Sequence, residues 1–224
     1  MLQFDVITLF PGQIEAFAGE SIIGRAIRND HIRVNAHNLR DWATGTQQMT
    51  DDRPFGGGAG MVLKPEPLFN AVESVTSEEA TVIYMSPDGE PLTTPLAKEL
   101  ANEVHLVVLS GHYEGIDQRV RDEIVDREVS IGDYILTNGT LACAVMIDAV
   151  ARFVPGVLGK EASLDQDAFA DDMLGHPQYT RPAEYRGLKV PEVLLSGHHD
   201  NITKWRQNWR EEKTRQRRPD LLTR

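Results

Sequence analysis

The sequence predicts an α/β fold built on a mostly parallel sheet. Three observations predict it. Short apolar runs alternate with helix-like segments through the first 154 residues, as strands and crossover helices do when both faces of a sheet are covered. A chain of 224 residues, 41% of them hydrophobic, is long enough for one substantial core and a smaller appendage. No run approaches the ~18 consecutive apolar residues of a membrane span.

In chain order, "FDVITLF" (4–10) reads as the first strand, and helix-like segments follow at 12–23 and 22–30. "IRVNAHNL" (32–39) is the second strand; a helix at 66–76 precedes "ATVIYMS" (80–86), and another at 93–102 precedes "VHLVVLSG" (104–111). A helix at 116–124 leads into "REVSIGDYIL" (127–136), and the apolar stretch 140–154 completes the alternation. After Val154 the texture changes to spaced prolines and glycines, which reads as a linker and a second, smaller unit. The last helix would take Asp200 as its N-cap, align Ile202, Trp205 and Trp209 on one face, and stop at Pro219. Those tryptophans read most simply as packing, with an RNA contact as the sharper alternative.

Composition narrows the function classes. Cys143 is the single cysteine, which excludes an intramolecular disulfide and a multi-cysteine metal site; its apolar neighbours make it a core residue. "MLQFDVITLF" carries no basic leader and runs straight into strand-like sequence, so a cytoplasmic protein is expected. The net charge of −11 argues against nucleic acid, but from Asn201 onward eight Lys/Arg face three Asp/Glu, so this end alone is suited to phosphates.

Ligands of open parallel sheets sit beyond the carboxyl ends of the strands. Three successive strand exits, "YMSPDGE" (84–90), "LSGHYEGID" (109–117) and "SIGDYILTNG" (130–139), combine glycine with turn formers. Each alone is an ordinary turn; three on adjacent strands suggest a shared adenine-like or nucleoside ligand. No G-x-G-x-x-G follows the first strand and no G-x-x-x-x-G-K-[ST] occurs, so dinucleotide-binding and P-loop enzymes are disfavoured. "DDRPFGGGAGM" (51–61) is either a mobile surface loop or a lid with Asp51, Asp52 and Arg53 as its polar groups.

These motifs, with "GHYEGIDQRV", "RFVPGVLGKEAS", "YTRP" and "VLLSGHH", stand in an order and spacing that resembles the bacterial tRNA (guanine-N1)-methyltransferases of the SPOUT class, over about residues 1–218. The resemblance implies S-adenosylmethionine-dependent methylation of the guanine immediately 3′ of the anticodon. It also implies a trefoil knot and a homodimer that binds tRNA, without membrane or DNA partners. It divides the chain into a cofactor domain (1–157), a linker (158–175) and a small helical tRNA-binding domain (176–224). The cofactor would be held by Tyr84, Ser86 and Pro87, by Gly111, Tyr113, Glu114 and Gly115, and by Ser130, Ile131, Gly132, Tyr134, Leu136, Asn138 and Gly139. The chain departs from the family pattern at Ala59, at His112 and in "TNGTLA" (137–142), where Asn138 is suited to a left-handed turn.

Guanine N1 carries a proton that must leave as the methyl arrives. A carboxylate of ordinary pKa, near ~3.9, is a weak base unless charge developing on the guanine oxygen is stabilised with it. By resemblance, Asp167 in "SLDQDAFADD" is the general base and Arg152 in "AVARFVPG" stabilises that oxygen. Without the resemblance, Asp167 is one solvated acid among Glu161, Asp165, Asp171 and Asp172, and Arg152 a charge at a helix end. The family's magnesium ion is assigned to Glu114. RNA recognition is assigned to Asp51, Arg53, Gly57 and Gly58 and to Ser196 and His198; adjacent His198 and His199 point apart and lack a third metal ligand. Two alternatives remain open: a SPOUT enzyme with another RNA target, and a non-catalytic RNA- or nucleoside-binding protein.

Overall fold

In the computed structural model, which describes residues 1–159 and 167–223, the chain divides into two units, residues 1–159 and 160–224. The first opens with β1 (Leu2–Thr8), α1 (Pro11–Ala18), α2 (Ser21–Arg28) and β2 (Ile32–Asn38). A short 3-10 turn (Leu39–Trp42) and a two-residue hairpin, β3 (Asp51–Asp52) with β4 (Val62–Leu63), lead to α3 (Pro65–Val75). Then come β5 (Ala80–Pro91), α4 (Thr94–Leu100), β6 (His105–Ser110), α5 (Gln118–Ile124), β7 (Arg127–Ser130) and α6 (Thr140–Ala151).

Five strands form one sheet in the order β2-β1-β6-β5-β7, every neighbour parallel. The period of two decides which face each side chain joins. Ile83 and Met85 of β5 and Leu106 and Val108 of β6 pack with α1, α2, α4 and α6 residues on one side, including fully buried Met146 and Val150. Val82, Tyr84, Val107 and Leu109 face α3 and α5 on the other, against Leu68, Val72 and Val120. Both faces are thus covered, as the apolar runs imply.

Local chemistry fixes most boundaries. Pro11, Pro65 and Pro95 stand at the starts of α1, α3 and α4, where a missing N–H costs nothing. Thr93 Oγ1 accepts from Leu96 N at 3.4 Å, and Asp117 Oδ1 accepts from Arg119 N at 3.0 Å, so α5 begins at Gln118 rather than 116.

Two strand exits differ from expectation. β7 ends at Ser130 instead of continuing to 136, because Gly132 (φ 145°) turns the backbone away from the ladder. β5 continues to Pro91, and its register against β7 shifts between Met85 and Glu90, leaving residues 86–89 looped out of the sheet.

Buried Asp5 sits in mid-sheet and is satisfied by four neighbours. His37 Nε2 is 2.6 Å from Oδ1, Asn35 Nδ2 donates to Oδ1 at 3.0 Å, Gln3 Nε2 donates to Oδ2 at 2.6 Å, and His105 Nε2 is 2.7 Å from Oδ2. Burial opposes its charge, but hydrogen bonding, His37 foremost, outweighs burial and holds the carboxyl well below the usual range.

The second unit contains a small hairpin, β8 (Glu184–Tyr185) with β9 (Leu188–Lys189), then α7 (Glu192–Leu195), α8 (His199–Arg217) and a final 3-10 turn (Pro219–Thr223). His198, not Asp200, occupies the N-cap of α8, and Asp200 lies in its first turn, where a negative charge favours the helix dipole. The helix stops before Pro219, as expected. Buried Thr214 accepts from Leu174 N at 2.9 Å, and Lys213 Nζ donates to Gly175 O at 3.0 Å. Arg210 pairs with Asp171, so the stretch 171–175, expected as the end of a linker, is tied to α8. Glu161 and Asp165 lie outside the described residues.

Candidate functional site

Beyond the carboxyl ends of β5, β6 and β7 lies a cleft of about 400 Å³. The three strand-exit loops form its walls, and the helix-like 140–154 stretch contributes Ala142 from the start of α6. All of the residues assigned to the cofactor line it: Tyr84, Ser86 and Pro87; Gly111, Tyr113, Glu114 and Gly115; and Ser130, Ile131, Gly132, Tyr134, Leu136, Asn138 and Gly139.

Two walls meet through backbone contact. Gly139 N donates to Gly111 O at 2.8 Å, and a Cβ on Gly139 would stand 2.9 Å from Gly111 N. Only glycine permits that approach. His112 adds a second tie, its Nδ1–H donating to Thr137 O at 3.1 Å. Asn138 does not adopt the left-handed conformation expected of it; its Oδ1 instead accepts from Thr140 N at 2.9 Å and caps the turn into α6. Thr140 in turn bridges Thr8 and Ser110 by hydroxyl contacts of 2.8 and 3.1 Å, pinning α6 to β1 and β6 beneath the cleft. The Thr140 hydroxyl is therefore satisfied and the residue buried.

The cleft's other side is braced by ions. Arg121 on α5 makes a two-pronged bond to Glu128 (Nε–Oε1 2.7 Å, Nη2–Oε2 2.6 Å) and reaches Asp88 at 3.2 Å. Its guanidinium lies 5.7 Å from the centre of the Tyr84 ring. Hydrogen bonding to Glu128 raises the Arg121 pKa, so the group is a permanent cation. Burial pushes the Tyr84 hydroxyl up to about 12 against the opposing charge of Arg121, so Tyr84 is a neutral wall. Sequence reading misses Arg121, which among the charges of "QRVRDEI" carries no distinguishing signal.

The glycine-rich hairpin joins the cleft edge to edge. Glu114 N donates to Met61 O, Leu63 N to Gly115 O and Asp117 N to Leu63 O, each at 3.0 Å. Gly57 and Gly58 take positive φ (81° and 123°), Arg53 is exposed, and Asp51 is half-buried in β3. At the hairpin tip Phe55 is fully exposed, a second residue that sequence reading passed over. Glu114 is exposed and lies against Gly60; among the described residues no three His, Cys, Asp or Glu side chains converge on a metal position.

The remaining assigned residues lie elsewhere. Arg152 is half-buried at the C-cap of α6 and is not among the residues lining the cleft. In the second unit Asp167 is half-buried, Ser196 Oγ donates to Val193 O at 2.8 Å and accepts from His198 N at 3.2 Å, and His198 caps α8. Cys143 is fully buried, and burial pushes its thiol up to about 12, which makes it a core residue and not a nucleophile.

A family model described as tRNA (Guanine-1)-methyltransferase TrmD matches residues 2–224. Among similar curated proteins, a tRNA (guanine-N(1)-)-methyltransferase of Ruminiclostridium cellulolyticum is 51% identical over 99% of this chain and 96% of its own length. Proteins of the same name from Geotalea uraniireducens (51% identity, 99% and 91% coverage) and Chloroflexus aggregans (49%, 100% and 88%) are similar throughout.

Proposed function

The chain belongs to the tRNA (guanine-1)-methyltransferase family, and we propose that it methylates N1 of guanine 37 of tRNA, immediately 3′ of the anticodon, with S-adenosylmethionine as donor. The observation that carries this reading is the convergence of three glycine-bearing strand exits on one cleft. Its volume, about 400 Å³, lies within the ~300–1,000 Å³ range of small-ligand sites, and its glycine backbone suits close approach by a flat adenine.

When bound, S-adenosylmethionine supplies an electrophilic methyl group on a sulfonium. The protein's own residues then bind, orient and deprotonate. Residues 130–139 enclose the adenosine end, in the segment where the family's knot is expected; Tyr84 and the Arg121–Glu128–Asp88 ion group hold the opposite wall rigid. The Gly57–Gly58 hairpin presents Asp51 and Arg53 to guanine edges, and Phe55 offers an exposed ring on which an unstacked base can lie. Asp167 takes the N1 proton while Arg152 neutralises charge on the guanine oxygen. Positioning supplies most of the acceleration, since sulfonium methyl transfer leaves little covalent work for the protein. The described residues do not form a magnesium cage.

A homodimer is part of this reading. Leu141 and Val145, one turn apart on α6, are 56% and 47% exposed, and Ile135 beside the cleft is 79% exposed. A second copy of the chain is the partner that would cover this apolar group. No described helix is long and apolar enough to cross a membrane, and we place the enzyme with its tRNA substrate in the cytoplasm.

Nucleoside analysis of tRNA incubated with the protein and S-adenosylmethionine tests the chemistry. It should yield 1-methylguanosine; a ribose-methylated or base-exocyclic product would refute the assignment of N1.

A further inference from the structure

The second unit contains its own cavity, of about 380 Å³, which the sequence did not announce. Val190, Leu194 and Ile202 supply apolar lining, while Tyr179, Arg181 and Arg206 stand at its polar side. Among the described residues no carboxylate lines it. Among the described residues neither Arg181 nor Arg206 is in an ion pair, whereas Arg210, Arg215 and Arg218 of the same unit pair with Asp171, Glu212 and Asp220. Two exposed guanidinium groups at one apolar cavity, with no carboxylate among its described lining residues to meet them, complement an external anion.

Aromatic rings continue from the cavity wall. Tyr179 is 49% exposed and its ring centre lies 6.4 Å from that of Trp205, which lies 6.0 Å from that of Trp209, itself 45% exposed. Half-exposed rings in series, beside cations, are the elements with which proteins hold single-stranded nucleic acid: stacking for the base, arginine for the phosphate.

We propose that this cavity holds one unstacked nucleotide of the tRNA, separate from the target guanine, its base against Tyr179 and its phosphate between Arg181 and Arg206. The inference rests on the tRNA reading above and specifies a second contact point for that substrate. The cavity volume lies within the small-ligand range of ~300–1,000 Å³, enough for one nucleotide and not for a duplex. Stacking without base-edge hydrogen bonding tolerates any base, so the site would set affinity and placement rather than sequence choice.

The test uses the full-length protein and a tRNA transcript carrying the target guanine. Tyr179→Ala should raise KM for tRNA about tenfold or more, and Tyr179→Phe, which keeps the ring, should leave it near wild type. A double variant, Arg181→Gln with Arg206→Gln, should also raise KM and reduce the slope of log KM against log salt by about one for each phosphate no longer held. In all three, kcat at saturating tRNA and the Kd for S-adenosylmethionine should stay at wild-type values. An unchanged KM and salt slope overturns the proposal, as does a KM effect equal in Tyr179→Phe and Tyr179→Ala. Should Tyr179→Ala unfold, ultraviolet cross-linking of the wild-type protein to the transcript decides. A cross-link within residues 176–183 supports the site, and cross-links confined to other segments exclude it. Wild-type turnover on the same transcript keeps the two claims apart: its absence would refute the proposed function, whereas turnover without the variant effects refutes only this site.

Discussion

Replacing Gly139 with alanine places a methyl group 2.9 Å from Gly111 N and 3.3 Å from Gly111 O. Comfortable separation for such atoms is roughly 3.5 Å, so the two walls must part by about 0.6 Å. Overpacking of this kind costs about 1–3 kcal/mol, and weakening of the 2.8 Å bond from Gly139 N to Gly111 O adds about 0.5–1.5 kcal/mol. If the total of roughly 1.5–4.5 kcal/mol divides equally between global stability and the cleft's binding conformation, Tm falls by about 2–9 °C. The Kd for S-adenosylmethionine then rises about tenfold. Calorimetric titration and a thermal melt read both quantities, with Gly12→Ala on α1 as control, since nothing lies within 4 Å of its added methyl. Gly139→Ala with wild-type Kd and Tm would show that the walls do not depend on this approach, and the reasoning about the cleft would fail.

Four further outcomes are expected. Asp167→Asn should keep the wild-type Kd for S-adenosylmethionine while kcat falls by roughly 10²–10⁴-fold, the usual worth of a general base; lost cofactor binding in that variant would contradict the role. Phe55→Ala removes a fully exposed ring, so Tm should hold while KM for tRNA rises, which steady-state kinetics at saturating cofactor would detect. Asp5, whose folded pKa lies below the unfolded 3.8, contributes stability that is present above 3.8 and lost as pH falls below it. Asp5→Asn should therefore be less stable than wild type at pH 7, and denaturant melts should show the gap narrowing below pH ~3.8. Finally, Cys143, buried and with its thiol raised to about 12, should resist alkylation in the native protein and react once unfolded, as mass spectrometry would record.

Much of this site was legible because its requirements are local. A close turn needs glycine where the turn is, so "LSGHYEG" and "SIGDYILTNG" declared themselves, as did the apolar runs that became β1, β5 and β6. The tie of Gly139 to Gly111 was not legible as a contact, but both glycines were singled out by residue type alone. What escaped depends on distant partners. Arg121 resembles any surface arginine until Glu128 and Asp88 converge on it, and Asp5 is joined by His37 and His105, 32 and 100 residues away. The end of β7 at Ser130 escaped because Tyr134, Ile135 and Leu136 read as strand, yet all three are exposed around the cleft rather than paired in the sheet. The cavity in the second unit combines side chains from 176 to 206 with no common motif. Asp167 and Arg152 are the opposite case: residue chemistry alone did not distinguish them, and only the resemblance singled them out.

The central claim is tested most directly by one pair of transcripts. Labelled methyl from S-adenosylmethionine is offered to a leucine or proline tRNA with guanine 3′ of the anticodon and to the same transcript with adenine there. The account predicts incorporation into the first and none into the second. Equal incorporation into both would move the methylated base elsewhere, and incorporation into neither, with the cofactor bound, would contradict the assigned reaction.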